Sequence, residues 1–222
     1  MLEVAWLGSV PYDVALGWQE ILRDRALDGG PESLLLLEHP AVYTLGRGAD
    51  PIHLGQAADG AVPIVHTSRG GQVTYHGPGQ LVGYPMLDLR RHRPDVGWYV
   101  RTLEAVLIAT LEALALRGER RPGTPGVWVG DRKIASVGVA LRRWCTWHGF
   151  ALNVACDLGP FRRISPCGLA GVEMTSIERE QGPVEFGGVV DRVREMFVTA
   201  FGHDGTAPLD LPIASGTARA AP

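Results

Sequence analysis

Lys133 is the only lysine among 21 basic residues. An arginine-rich composition explains the others and leaves the exception to be explained. A guanidinium supplies charge and cannot be deprotonated in a protein, whereas a compact amine can give up its proton. Lys133 is therefore a candidate for proton transfer or for stabilising a nearby anion. The chain has three cysteines: Cys145, Cys156 and Cys167. Cys145 stands between Trp144 and Thr146 in a strand-like stretch, and Cys156 follows Asn153-Val154-Ala155 at a strand end. Both read as small packed hydrophobes. Cys167 lies in Ser165-Pro166-Cys167-Gly168, where proline and glycine set a sharp, exposed loop. A cysteine becomes nucleophilic where an exposed thiol meets a positive group that favours its thiolate. Lys133 is the natural such group, although only the fold can bring the two together.

A third feature is the stretch RGGQVTYHGPGQ, from Arg69 to Gln80. Its four glycines permit positive φ and close backbone approach to a ligand. It matches neither GxxxxGK[ST] nor a strand–GxGxxG–helix unit. It runs from strand to strand and offers no helix N-terminus to a phosphate. A loop lining a groove fits better than a nucleotide cradle. His76 within it could shuttle a proton or orient a substrate, or be a histidine satisfied by backbone bonds.

These residues need a scaffold, and the hydrophobic pattern supplies one. Leu2–Leu7, Ser33–Glu38, Ala41–Leu45, Val62–His66 and Gln80–Leu89 read as strands. Pro85 implies that the last is an edge strand or carries a bulge. Residues 13–27 read as a helix with Val14, Ala15, Trp18, Ile21 and Leu22 on one side. Asp95 is a candidate N-cap for a second helix to about Leu116. The stretch GVWVGDRKIASVGVAL reads as a hairpin turning at Gly130-Asp131, followed by a strand over 146–154. A last helix covers Val189 to Phe201. The pattern describes one mixed α/β domain over residues 1–204, with a disordered tail over 205–222.

Composition narrows the function classes. With 222 residues, one domain can bury a real core. A net charge of −3 argues against a general nucleic-acid binder. No apolar run is long enough to span a membrane, and the N-terminus lacks a basic signal region. An odd cysteine count without CxxC points to a reducing compartment, the cytoplasm. The seven histidines form no HExxH or HxH, so no metal site is read.

The segments RGGQVTYHGPGQLVGYPMLDL, GDRKIASVGVAL, HGFALNV and PCGLAG occur in that order. Together they closely resemble the octanoyltransferase, or lipoate–protein ligase B, family, from about Leu34 to about Ile177. The resemblance implies a mixed, largely antiparallel sheet flanked by helices, as in biotin and lipoate protein ligases. It implies transfer of an octanoyl group from octanoyl-acyl carrier protein to a specific lysine of lipoyl domains. The acceptors would be 2-oxoacid dehydrogenase E2 subunits and the glycine cleavage H protein. It implies Cys167 as the acyl-thioester nucleophile and Lys133 as the group that lowers its pKa and relays protons. The acyl group would lie against Arg69, Gly70, Gly71, Gln72, Val73, Thr74, Tyr75 and His76, against Ser136, Val137 and Gly138, and against Gly149, Phe150 and Ala151. His76 would orient the thioester end. The donor is already activated, so neither ATP nor a metal is implied, and a monomer is expected by analogy. The arginine pairs Arg90-Arg91, Arg142-Arg143 and Arg162-Arg163, with Arg93, could dock the acidic partner proteins or simply form solvated surface.

Three other readings carry different signatures. An ATP-dependent lipoate or biotin ligase would need no nucleophilic cysteine. A silent acyl-binding protein would need neither Cys167 nor Lys133. A cysteine protease or amidase would want a Cys–His pair with an orienting Asn or Asp. His76 or His148 with Asn153 could be drafted for that role, in a context that matches no such family.

Overall fold

A computed structural model of the chain describes residues 1–165 and 171–211; Cys167 and the end of the chain from residue 212 lie outside the described residues. Strands β1 (Leu2–Ser9) and β2 (Ser33–Glu38) lie parallel, joined through helix α1 (Tyr12–Leu27). β2 continues antiparallel to β6 (Gln80–Met86), which pairs with β10 (Cys145–Asn153). β10 pairs with β9 (Arg132–Arg142), then come β8 (Thr124–Val129) and the short β7 (Glu119–Arg121). Leu34–Leu37 are fully buried because β2 lies inside this sheet with helices on both faces, which explains a strand with no polar alternation. The β8–β9 hairpin turns at Gly130-Asp131, with Gly130 at φ 54°.

A second sheet of three strands, β3 (Val42–Leu45), β4 (Ile64–His66) and β5 (Val73–His76), stands beside the first in the order β4-β3-β5. The opening motif is thus partly a strand. Its glycines make the turn into β5, and Thr44 of β3 pairs with Thr74.

Helix α2 (Val96–Ala113) starts at Asp95, whose carboxylate accepts the Trp98 N–H at 2.9 Å. It packs with α4 (Phe186–Phe201) on one face of the large sheet, over Leu34, Leu36, Leu81, Phe150 and Leu152. α1 covers the other face over Leu35, Leu37, Val82 and Ala151. A short helix, α3 (Ile177–Gln181), capped by Ser176, precedes α4.

Three expectations need correction. The buried stripe of α1 is Tyr12, Ala15, Gln19, Leu22, Arg23 and Ala26, while Val14 and Ile21 face solvent. The stripe holds the three- and four-residue spacing and includes a glutamine, because Gln19 Oε1 accepts the His148 N–H at 2.8 Å. β6 is an interior strand, so Pro85 does not mark an edge. Its missing N–H is tolerated because the β6–β10 ladder is interrupted there: the register runs only from Gly83–Phe150 to Gln80–Asn153, and His148 of β10 takes φ 55°. The tail expected from Gly205 begins instead with β11 (Thr206–Pro208), which pairs parallel to β1 and is followed by buried Leu209. Its backbone finds partners on the open edge of β1, a gain that composition does not show. Among the described residues no helix is long and apolar enough to cross a membrane.

Candidate active site

Lys133 is the second residue of β9 and is fully buried. Its Nζ donates to the Pro125 carbonyl at 2.9 Å and stands 5.7 Å from the centre of the Trp128 ring. Gly126 makes room for this amine. A Cβ there would lie 2.7 Å from Lys133 Cε and 2.3 Å from the Ala135 carbonyl oxygen, and the residue's φ of 128° suits glycine. The backbone of Lys133 is also engaged. Its N–H donates to the Glu173 carbonyl at 2.8 Å, and its carbonyl accepts the Thr175 N–H at 2.9 Å. Residues 173–175, which follow the PCGLAG segment in the chain, are therefore laid along β9 at the lysine.

The glycine-rich segment is the seam between the two sheets. Gly70 N–H donates to the Val139 carbonyl of β9 at 2.9 Å, and Gly46 N–H to the Gln72 carbonyl at 3.2 Å. Arg69 is buried and pins the turn. Its Nη2 donates to Thr44 O and Oγ1 at 2.6 and 2.8 Å, and its Nη1 to Gly70 O at 3.1 Å.

Under this seam lies a cavity of about 490 Å³, counted out to its open mouth. Its walls are Arg69 to Thr74 and His76, then Ser136 to Gly138 of β9, then Gly149 to Ala151 of β10. Three segments distant in sequence thus meet around one space. Of the residues read as acyl-binding, Tyr75 alone does not line it. Strand alternation turns Thr74 and His76 one way and Tyr75 the other, into an apolar cluster where its ring lies 5.4 Å from both Tyr43 and Phe161. Beside it is a wider cavity of about 870 Å³, lined by Lys133, Pro125, Thr124, Val96 and Val100. The two share Gly70, Gly71, Gln72, Val137 and Gly138, which stand between them.

Sequence reasoning did not place Tyr12, Tyr84 and His148 in the cavity wall, and they close its far side. The only signal was that His148 immediately precedes Gly149. Nor did it see the polar network behind the wall. His76 Nδ1 donates to Gln80 Oε1 at 2.7 Å. Gln80 Nε2 donates to Asn153 Oδ1 at 2.9 Å, and Asn153 Nδ2 to the Thr175 carbonyl at 2.9 Å. A chain of buried hydrogen bonds therefore joins the cavity wall to the strand beside Lys133, with every donor matched to an acceptor.

The histidines here are held neutral. Burial, with help from the neighbouring His39, pushes His76 down to about 3, and burial with the Arg69 charge pushes His148 down to about 3. His39, bonded to Val10 O and Tyr84 Oη, is lowered by burial to about 4. A base so weak cannot shuttle protons near neutrality, so His76 suits positioning. Of the described cysteines, burial raises the Cys145 thiol and pushes Cys156 up to about 12, which fits packed and unreactive side chains. Cys167 lies outside the described residues.

A mixed sheet flanked by helices, with a slot between sheets and a buried amine at its side, is an α/β architecture with a candidate active site. Residues 11–202 match the model of the lipoyl protein ligase A/B catalytic domain. An octanoyltransferase from Synechococcus sp. (strain JA-2-3B'a(2-13)) is 45% identical over 93% of this chain and 85% of its own length. The lipoate protein ligase of the bi-partite system from Thermoplasma acidophilum superposes with a TM-score of 0.70 at 16% identity, over 92% of this chain and 86% of that one. A biotin protein ligase from Aquifex aeolicus, with biotin and ATP, gives 0.55 at 12% identity over 90% and 70%. The last two likenesses show the fold. The chain belongs to the lipoyl protein ligase A/B catalytic-domain family, and within it to the octanoyltransferases. It is an acyltransferase.

Proposed function

We propose that the chain transfers an octanoyl group from octanoyl-acyl carrier protein to a lysine of lipoyl domains, through a thioester on Cys167. The observation that carries this reading is the pair of adjoining cavities: a glycine-walled slot on one side of the shared wall, and the one lysine of the chain on the other. An eight-carbon chain offers nothing polar to grip and is held by close apolar contact, about 0.8 kcal/mol for each buried CH₂. The acyl tail occupies the slot, with its carbonyl directed past the shared wall toward Lys133.

Cys167 stands six positions before Glu173, whose carbonyl is bonded to the Lys133 backbone. Chain connectivity alone keeps Cys167 and Lys133 within about 25 Å. In the first step the Cys167 thiolate attacks the donor carbonyl, the bond from carbon to the carrier sulfur breaks, and the Lys133 ammonium gives the leaving thiolate its proton. In the second, the acceptor amine attacks the acyl-enzyme. An amide forms, the Cys167–carbon bond breaks, and Lys133 collects the amine's proton. One thioester replaces another and then gives a more stable amide, so the reaction draws on neither ATP nor a metal. His76 holds the wall through Gln80 and does not carry protons.

The acceptors in this reading are lipoyl domains of 2-oxoacid dehydrogenase E2 subunits and the glycine cleavage H protein, met by a cytoplasmic monomer. Of the arginine pairs, Arg162-Arg163 leads into the Cys167 segment, with Arg162 exposed and Arg163 paired to Asp59 at 2.5 Å. Arg90 and Arg91 are paired with Asp88, and Arg93 with Asp95. Arg142 lies 3.6 Å from Asp24, while Arg143 is exposed. Of the two exposed arginines of these pairs outside an ion pair among the described residues, Arg143 and Arg162, the latter is the nearer in sequence to Cys167, and docking centres there.

Intact-protein mass spectrometry after mixing with octanoyl-acyl carrier protein, without ATP, tests the mechanism. A gain of one octanoyl group, absent in Cys167→Ala, is expected. An adduct that persists in Cys167→Ala, or one that forms only with ATP, would replace this mechanism by another nucleophile or by a ligase reaction.

A further inference from the structure

The end of the large sheet away from Lys133 carries a second polar cluster. Glu32 directly precedes β2, His92 closes the turn before α2, and His203 follows Gly202, the C-cap of α4. All three side chains are largely withdrawn from solvent, with 6%, 13% and 8% exposure. Their ligand-capable atoms lie within 4.8 Å of one another. Glu32 Oε1 accepts the Asp88 N–H at 2.8 Å, which fixes the carboxylate. Its Oε2 then faces both rings, 2.9 Å from His92 Nε2 and 3.8 Å from His203 Nε2. His203 Nε2 is buried and has no hydrogen-bond partner among the described residues. Such an atom costs free energy unless something meets it.

We propose that Glu32, His92 and His203 form a site for one borderline divalent metal ion, of which zinc is the type, stapling three chain segments together. Two imidazoles and a carboxylate are a common donor set for such ions. Metal–ligand bonds of about 2.0–2.2 Å at tetrahedral angles separate neighbouring donor atoms by roughly 3.3–3.6 Å, and the observed 2.9 and 3.8 Å bracket that spacing. The ion would satisfy the orphaned Nε2, and water would complete the tetrahedron. The rings are already set in place: His92 stacks on Trp98 at 6.3 Å, and Phe201 lies edge-on to it at 6.0 Å. None of the three residues lines either cavity of the active site, so the ion is structural and takes no part in acyl transfer.

Chelator-treated full-length chain titrated with zinc chloride is expected to bind one ion per chain. The melting temperature should rise by about 5–10 °C at a hundredfold excess over Kd. His203→Gln should weaken binding at least about thirtyfold and leave acyl transfer unchanged; His92→Gln serves if that variant does not fold. Cobalt in place of zinc should give visible d–d bands without a thiolate charge-transfer band. No one-to-one binding by about 100 µM zinc would reduce the cluster to a hydrogen-bonded pair with a spare histidine and overturn the proposal. Equal binding by the wild-type chain and both histidine variants would overturn it by placing the ion elsewhere, and a thiolate band would overturn it by placing the ion at a cysteine.

Discussion

The two cavities beside the glycine-rich seam differ in what their walls are made of. The slot is bounded by main chain fixed on three strands, and its titratable groups are silenced, with His76 and His148 held neutral by burial. The neighbouring cavity is wider, its wall includes the hairpin entry at Thr124-Pro125, and it holds the one lysine. One space is lined by neutral histidines, and the other has a closely packed, buried amine in its wall. In the proposed reaction, the difference separates recognition from chemistry along a glycine-rich wall, where an acyl chain would lie close to backbone.

The largest expected effect comes from altering the amine. Lys133→Arg keeps the charge, but a guanidinium cannot give up a proton, and it is too bulky for the space that Gly126 leaves. Transfer should fall by about 10²–10⁴-fold, the usual worth of a positioned acid–base group. Gly126→Ala keeps the amine but pushes on its Cε and on the Ala135 carbonyl at a φ that suits glycine; it should lower stability and cost less in rate than Lys133→Arg. Steady-state rates for both variants, with circular dichroism to confirm folding, check this. If Lys133→Arg transfers normally, charge alone suffices and the division between the two cavities loses its chemical half.

The sequence made part of this arrangement readable and hid the rest for identifiable reasons. β2 could be read because an unbroken apolar run in so short a segment has few other homes, and the β8–β9 hairpin because Gly130-Asp131 sits between two β-rich runs. Lys133 could be singled out because its type is unique in the chain. The network from His76 through Gln80 and Asn153 to Thr175 could not be read, because each partner is specified by the folded register and not by spacing. The same holds for Glu32, His92 and His203, which come from three separate connections. The stripe of α1 was misread because a glutamine occupies a core-facing position, and hydrophobicity alone assigns Gln19 to the surface. β11 was missed because its composition is that of a tail and its stability comes from the edge of β1.

The neutrality of the histidines around the slot can be tested by pH. His39, His76 and His148 sit at about 4, 3 and 3 in the folded chain, against about 6.5 when unfolded. Below pH 6.5 the unfolded chain takes up protons that the folded chain refuses. Stability is therefore full above that pH and is lost as pH falls from 6.5 toward the folded values. Each histidine contributes up to about 1.4 kcal/mol per pH unit in that window. His39 and His76 repel each other's charged forms, so the three are coupled and do not simply add. Urea midpoints measured between pH 7.5 and 4.5 should fall steeply, and His148→Gln should flatten the slope. A midpoint independent of pH over this range would mean that the rings take up protons in place and are not held neutral.

The smallest expected effect is the most direct probe of the shared wall. A Cβ at position 138 would stand 3.2 Å from the Gly70 carbonyl oxygen and 3.3 Å from Arg69 Cδ, so Gly138→Ala asks its neighbours to give by a few tenths of an ångström. Arg69 is tied to Thr44 by three hydrogen bonds, which limits how far that side can move. The space between Gly70 and Gly138 should narrow and the fold should persist. An octanoyl chain threaded through it meets the added methyl, whereas a butanoyl group held near Lys133 does not reach past it. Octanoyl transfer should fall by about five- to tenfold, the cost of mild overpacking, with butanoyl transfer little changed. Equal losses for the two chain lengths would mean that the acyl tail does not pass between Gly70 and Gly138, and would assign the slot some other occupant.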